Sequence, residues 1–93
     1  MTAPIDISER AQKEIKLILT KKGIPEDYCL RIGVRGAGCG VAFKLGFDHP
    51  KEKDEQFEIE GIKVIVQKAE MMFLIGKKID FYDEADGRGF FFS

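Results

Sequence analysis

The sequence predicts an α+β fold, with an N-terminal helix and a short second helix on a compact mixed or antiparallel β-sandwich or partly closed barrel. Apolar residues recur with helical spacing before Gly23, whereas from Cys29 onward the pattern changes to the alternation of strands. Turn residues then divide the rest of the chain into short strands. One helix with many short strands is typical of an α+β domain, which we expect to span residues 1–93.

The N-terminal helix is predicted to begin near Ser8 and to end before Gly23. The Ser8 side chain can accept a hydrogen bond from a free backbone N–H, and Glu9 lies favourably at the positive end of the helix dipole. The apolar face is formed by Ala11, Ile15, Ile18 and Leu19. Gly23 can adopt the left-handed conformation that closes a helix, and Pro25 prevents its continuation.

A pair of strands is predicted next, on either side of a glycine-rich segment. Leu30, Ile32 and Val34 alternate with polar residues and glycine, so one face of the first strand is buried and the other is wet. The second strand covers residues 41–47, and a polar turn follows it at residues 49–54.

Two hairpins and a short helix complete the predicted elements. The first hairpin, over residues 57–66, turns at Glu60-Gly61, and the second, over residues 79–92, turns around Asp86-Gly87. Between them, residues 68–75 are predicted to form a short helix. Its inward side chains are expected to be Met71, Met72, Leu74 and Ile75.

The C-terminal segment contains three consecutive phenylalanines, at residues 90–92. Neighbouring side chains of a strand point to opposite faces, so at least one phenylalanine should be exposed in an isolated monomer unless something covers it. A homodimer, or a contact with a related protein, follows as a hypothesis.

The composition is that of a water-soluble protein whose positive and negative charges nearly balance. The net charge of −1 gives no basic footprint for nucleic acid and no strong attraction to an anionic membrane. No apolar run approaches the roughly 20 residues that span a bilayer, and MTAPIDISER lacks a signal-peptide core. We therefore expect a cytoplasmic protein whose cysteines are thiols rather than a disulfide.

Cys39 is the candidate site residue, because glycines surround it at positions 36, 38 and 40. Residues without a side chain leave a neighbouring sulfur approachable, and the N–H groups of a turn favour the thiolate, the form that binds metal. Cys29 begins a strand without glycine neighbours and is predicted to be a packed thiol. Two cysteines are too few for a self-contained zinc or cluster site, which usually takes four protein ligands.

The stretch LRIGVRGAGCGVAFKLGFD, from Leu30 to Asp48, resembles the signature of the HesB/IscA family of A-type iron–sulfur carriers, which reads roughly LRVxVxGGGCSGxxYxLxFD. Downstream, GIKVIVQ at residues 61–67 and KKIDFYDEADGRGFFFS at residues 77–93 also resemble the family pattern. The family pattern continues into a tail that carries a Cys-Gly-Cys pair, whereas this sequence stops at Ser93.

The resemblance implies that Cys39 is a ligand of iron or of an iron–sulfur cluster. In the family this cysteine acts with the tail pair, so Cys39 is the sole remaining ligand of the family type, in a shared or weakened site. The resemblance also implies a homo-oligomer, with iron–sulfur assembly or recipient proteins as partners. Two copies of Cys39 could then face each other, with a small thiol, water or a partner's cysteine completing the site.

Two functions remain open. The first is a non-enzymatic iron–sulfur carrier that uses Cys39. The alternative is a degenerate protein-interaction module that keeps the fold and binds neither metal nor cluster. A carrier needs at least two sulfurs at one site, whereas a module without metal function has no physical need for a glycine-framed thiol. Catalysis is not expected.

Overall fold

The computed structural model describes the backbone of residues 3–37 and 40–93 and the side chains of residues 3–35 and 43–93. A single α-helix, a 3₁₀ helix and seven strands make up this part of the chain. In chain order, the elements are β1 (Ile5–Ile7), α1 (Glu9–Lys21), β2 (Cys29–Ala37), β3 (Gly40–Asp48), β4 (Asp54–Ile59), β5 (Ile62–Gln67), the 3₁₀ helix (Lys68–Phe73), β6 (Lys77–Glu84) and β7 (Gly87–Phe92).

The strands form two mixed sheets, which confirms the predicted fold class. In the first sheet the order is β1-β6-β7, with β1 parallel and β7 antiparallel to β6. In the second sheet the order is β3-β2-β5-β4, with β2 and β5 parallel and the other pairs antiparallel. The two sheets remain separate over the described residues, so they do not close into a barrel.

Both sheets and the helix contribute to one hydrophobic cluster. Ile15 of α1, Ile32 and Val64 of the second sheet and Ile79 of the first are almost fully buried. Each such aliphatic side chain contributes about 1.5–3 kcal/mol when it is removed from water. The shared core therefore holds the two sheets and the helix together.

The ends of α1 confirm the predicted capping. The Ala11 N–H donates to Ser8 Oγ at 3.2 Å, and the Ser8 hydroxyl donates to Asp80 Oδ1 at 2.7 Å. Gly23 has a φ of +64°, the left-handed conformation expected just beyond the helix. The Ser8 cap thus joins the start of α1 to strand β6 of the first sheet.

Of the two predicted turns, the first is confirmed and the second begins one residue earlier than expected. Glu60 and Gly61 have φ values of +50° and +83°, as a tight hairpin turn with two left-handed residues requires. In the second hairpin Glu84 pairs with Gly87, so the loop is Ala85-Asp86 rather than Asp86-Gly87.

The predicted inward face of the second helix is wrong for two side chains. Met72 is 72% exposed and Ile75 is 68% exposed, whereas Leu74 is buried and Met71 packs partly on the core. The 3₁₀ helix ends at Phe73, and its last turn is closed by the hydrogen bond from the Leu74 N–H to the Met71 carbonyl. In this geometry side chains three residues apart eclipse one another, so Leu74 lies on the same inner side as Met71, and Ile75 lies on the same outer side as Met72.

Strand β1 was not expected, because three residues are too few to show a pattern of alternation. It buries Ile5 and Ile7 and exposes Asp6. At the other end of the chain, Phe91 is exposed while Phe90 and Phe92 are half-buried, as the alternation predicts. Across the described residues, none of the helices has the length and apolar character needed to cross a membrane.

Candidate metal-binding site

The candidate ligand Cys39 lies outside the described residues, but the strands on both sides of it are described. β2 and β3 are antiparallel and remain paired up to Ala37 and Gly40. In the sequence, Cys39 follows the end of β2 and precedes the start of β3. We refer to the paired strands β2 and β3 as the Cys39 hairpin.

On the β3 side, aromatic packing holds the Cys39 hairpin against the first sheet. The rings of Phe43 and Phe92 are stacked, with their centroids 4.8 Å apart and their planes at 17°. The Lys77 ammonium lies 5.7 Å from the centroid of the Phe43 ring. Offset aromatic stacking adds about 0.5–1.5 kcal/mol to the area buried. The end of β7 is therefore fixed beside β3, three residues beyond Gly40.

On the other side of β2, a carboxylate from the 3₁₀ helix contacts the strand. The Val34 N–H donates to Glu70 Oε1 at 2.8 Å. A Cβ atom on Gly33 would lie 2.7 Å from Lys44 Cε and 3.4 Å from Glu70 Oε1. Gly33 therefore leaves room for both side chains to pack over the backbone of β2.

Glu70 was not predicted as a site residue. Its contact with Val34 joins positions 36 residues apart in the sequence, and no local motif indicates such a pairing. Only the three-dimensional arrangement of the 3₁₀ helix beside β2 brings the two together.

At the base of the Cys39 hairpin, Arg31 crosses from β2 to two carboxylates. Its guanidinium donates to Asp54 at 2.8 and 2.6 Å and to Asp48 at 3.1 Å. The hydrogen bonds from Arg31 lower the pKa of the Asp54 carboxyl, and those to Asp54 raise the pKa of Arg31. This network joins β2, β3 and β4. Its role is to stabilise the fold rather than to bind a ligand.

Cys29 lies at the end of β2 that is farther from Cys39 in the sequence. It lies at the opposite end of β2 from Ala37, roughly 26 Å away at about 3.3 Å per residue of strand. It is buried, as predicted, and burial raises the pKa of its thiol. A buried, protonated thiol is a poor metal ligand, because the ligand is the thiolate.

No other set of ligands appears in the part of the chain that the structure describes. Its histidine, cysteine, aspartate and glutamate residues form no group of three or more that could hold a metal ion. The described side chains therefore do not form a metal site of three or more ligands by themselves.

The family profile described as iron-sulphur cluster biosynthesis matches residues 3–93. The chain belongs to this family. It is 38% identical over 91 residues to the iron-binding protein IscA of Salmonella newport, with 96% of this chain and 83% of that protein covered. The match extends over both sheets and α1, so membership rests on the whole fold rather than on the glycine-rich segment alone.

Solved structures show the same fold. The crystal structure of Escherichia coli SufA, involved in the biosynthesis of iron–sulfur clusters, superposes with a TM-score of 0.81 at 28% identity. That alignment covers 96% of this chain and 78% of SufA. An IscA crystallised with a [2Fe-2S] cluster has a TM-score of 0.73 at 21% identity, covering 96% of this chain and 80% of that one, and is similar in fold.

Proposed function

We propose that this protein is a non-enzymatic carrier in iron–sulfur cluster assembly and that Cys39 is its ligand for iron or for a cluster. The observation that carries the proposal is the Cys39 hairpin, paired up to Ala37 and Gly40 in a chain of this family. In the sequence, Cys39 lies between these two paired strand ends. Glycines at positions 36, 38 and 40 leave its surroundings without bulky side chains.

The chemistry of the site depends on the thiolate. The thiolate, rather than the thiol, is the form of a cysteine that binds iron. A single thiolate holds iron weakly, since iron–sulfur clusters are normally held by four ligands.

The missing ligands come, on this proposal, from outside the chain. A second copy would bring a second Cys39, and a small thiol, water or a cysteine of a partner protein would complete the set. Such a shared site suits a carrier, because ligands from a recipient protein can replace those of the donor one at a time. The partners are then a second copy of this chain and the proteins that supply or receive the cluster, in the cytoplasm.

The second candidate function is an interaction module of the same fold that binds no metal. The observation in its favour is the lack of a multi-ligand cluster among the described side chains. Exposed apolar side chains on the 3₁₀ helix, Met72 and Phe73, would suit protein contacts.

Anaerobic reconstitution with iron and sulfide separates the two functions. We expect visible charge-transfer absorption and bound iron in the wild-type protein and in Cys29→Ala, and neither in Cys39→Ala. Cys29→Ala is the matched control, because it removes the other thiol of the chain, which is buried in the core. Near-zero iron in all three proteins would leave the interaction module as the function.

A further inference from the structure

We propose that Glu70 is a positioning residue for the Cys39 hairpin. Its carboxylate accepts one backbone hydrogen bond on the side where β2 lacks a neighbouring strand, and it thereby restrains the strand that precedes Cys39 in the sequence. The inference rests on the proposed function for its link to iron. Its structural part, the control of the hairpin by Glu70, has readouts that require no iron.

The pairing of β2 is incomplete on the side that faces β5. β5 pairs with β2 only at Leu30 and Arg31, whereas β3 pairs with β2 along its whole length. Beyond Arg31, the described residues contribute no strand to this side of β2. The outer half of the Cys39 hairpin is therefore a two-stranded ribbon, which is marginally stable by itself in water.

Glu70 fills this gap at one point. Its Oε1 accepts the Val34 N–H at 2.8 Å, so the carboxylate satisfies a backbone donor that a strand would otherwise pair. Val34 is three residues before Ala37, about 10 Å along the strand. The contact lies between the base of β2, which pairs on both sides, and its end at Ala37.

The carboxylate sits on an anchored segment. At the start of the 3₁₀ helix, the Lys68 N–H donates to the Lys53 carbonyl at 3.0 Å. Just after its end, Leu74 is fully buried in the core. Because both ends of this segment are held in place, the position of Glu70 is fixed independently of β2, and its hydrogen bond can restrain the strand.

Gly33 makes the close approach possible. With a Cβ atom at this position, Lys44 Cε would lie only 2.7 Å away and Glu70 Oε1 3.4 Å away. The Lys44 stem from β3 and the Glu70 carboxylate thus close over the same stretch of β2 from different elements. At Gly33 there is no side chain to keep Glu70 and Lys44 away from the backbone of β2.

The test compares Glu70→Ala, Glu70→Asp and Glu70→Gln, all with Cys29→Ala so that Cys39 is the only thiol. Glutamine keeps the reach and an accepting carbonyl oxygen, aspartate keeps the charge but is one methylene too short, and alanine has neither. Glu58→Ala is the control, because Glu58 is an exposed carboxylate on β4. The readouts are exchange of the Val34 amide hydrogen, the rate of Cys39 alkylation by iodoacetamide, and iron affinity.

We expect Glu70→Ala and Glu70→Asp to speed exchange at Val34, to change the alkylation rate and to weaken iron binding about tenfold, as loss of a supporting contact does at metal sites. Glu70→Gln and Glu58→Ala should stay within about twofold of the parent, since both retain an acceptor for Val34. Rescue by glutamine but not by aspartate distinguishes positioning from charge. Should Glu70→Ala fail to fold, Glu70→Asp and Glu70→Gln carry the same comparison.

Equal alkylation and equal Val34 exchange in Glu70→Asp, Glu70→Gln and the parent would overturn the inference. So would a change that Glu58→Ala reproduces, because the effect would then be one of general stability or charge. If the parent protein binds no iron, the proposed function fails by that result alone. The exchange and alkylation rates then still decide whether Glu70 fixes the hairpin.

Discussion

At the scale of single residues, Arg31 and Asp54 form the most buried ion pair among the described side chains. The side chain of Asp54 is 1% exposed and that of Arg31 is 17% exposed, and two guanidinium nitrogens reach the same carboxylate. Removing one partner from such a pair leaves an uncompensated charge in a site that water hardly reaches. The alternation in β2 indicated that Arg31 would face water, but the sequence does not indicate which carboxylates it meets.

Arg31→Met should lower the free energy of unfolding by about 3 kcal/mol, because Asp54 loses its charged partner while remaining buried. The measurement is urea unfolding followed by circular dichroism. Arg10→Met is the matched control: Arg10 pairs with Asp80 but is 66% exposed, so its loss should cost less than about 1 kcal/mol. Equal losses in the two variants would contradict the importance of the Arg31 network.

Asp80 makes stability depend on pH in the acid range. The hydrogen bond from Ser8, followed by that from Arg10, lowers the pKa of the Asp80 carboxyl to about 2. Because the folded pKa is lower than the unfolded one, this contribution to stability is complete above the unfolded value near 4 and is lost as pH falls toward 2.

Asp80→Asn should therefore flatten the decline of the melting temperature between about pH 5 and pH 2. The variant should be less stable than the wild type at pH 6, where the ionised carboxylate accepts its hydrogen bonds, and the two curves should converge toward pH 2. Asp6→Asn, an exposed carboxylate on β1, is the control. Parallel curves for Asp80→Asn and the wild type would contradict the assignment.

At the scale of elements, the short second helix was predicted at the right place in the sequence but with two of its inward side chains wrong. The apolar residues at 71, 72, 74 and 75 are compatible with an inward face at the α-helical period, and the structure adopts the tighter period of three. For α1 the α-helical period and the Ser8 and Gly23 boundaries were all local signals, so helix and caps were predictable. Strand β1 depends on a parallel pairing with β6, more than 70 positions away, and carried no local signal.

Met72, in the 3₁₀ helix, and Leu74, just after its end, differ in burial, so their truncation should differ in its effect on stability. Leu74→Ala should lower the free energy of unfolding by about 2–5 kcal/mol, because it leaves a cavity in the core. Met72→Ala should change it by less than about 0.5 kcal/mol, since Met72 is largely exposed. Urea unfolding of the two variants checks this, and similar losses would mean that Met72 faces the core after all.

At the scale of the whole molecule, the fold was readable because its signals are distributed along the chain. The glycine-framed Cys39, the alternation of β2 and the C-terminal phenylalanines all fall at matching positions of the family pattern, and the match covers residues 3–93. The surroundings of the site were not readable. The Phe43–Phe92 stack and the Val34–Glu70 hydrogen bond join residues 49 and 36 positions apart, and only packing of the elements defines them.

Also at the scale of the whole molecule, the carrier proposal requires that this chain associate with a second molecule. Cys29 is buried at the start of β2, and Cys39 lies outside the described residues, between β2 and β3 in the sequence. On the carrier proposal, further sulfurs come from a second molecule. The exposed Phe91 and Tyr82, with ring centroids 6.1 Å apart, are an apolar surface that contact with such a molecule would cover.

The most direct test is native mass spectrometry of the anaerobically reconstituted protein, wild type beside Cys39→Ala. We predict that an assembly of two wild-type chains carries iron and sulfide and that Cys39→Ala carries neither. Iron-free wild-type protein, or equal iron on the wild type and on Cys39→Ala, would contradict it.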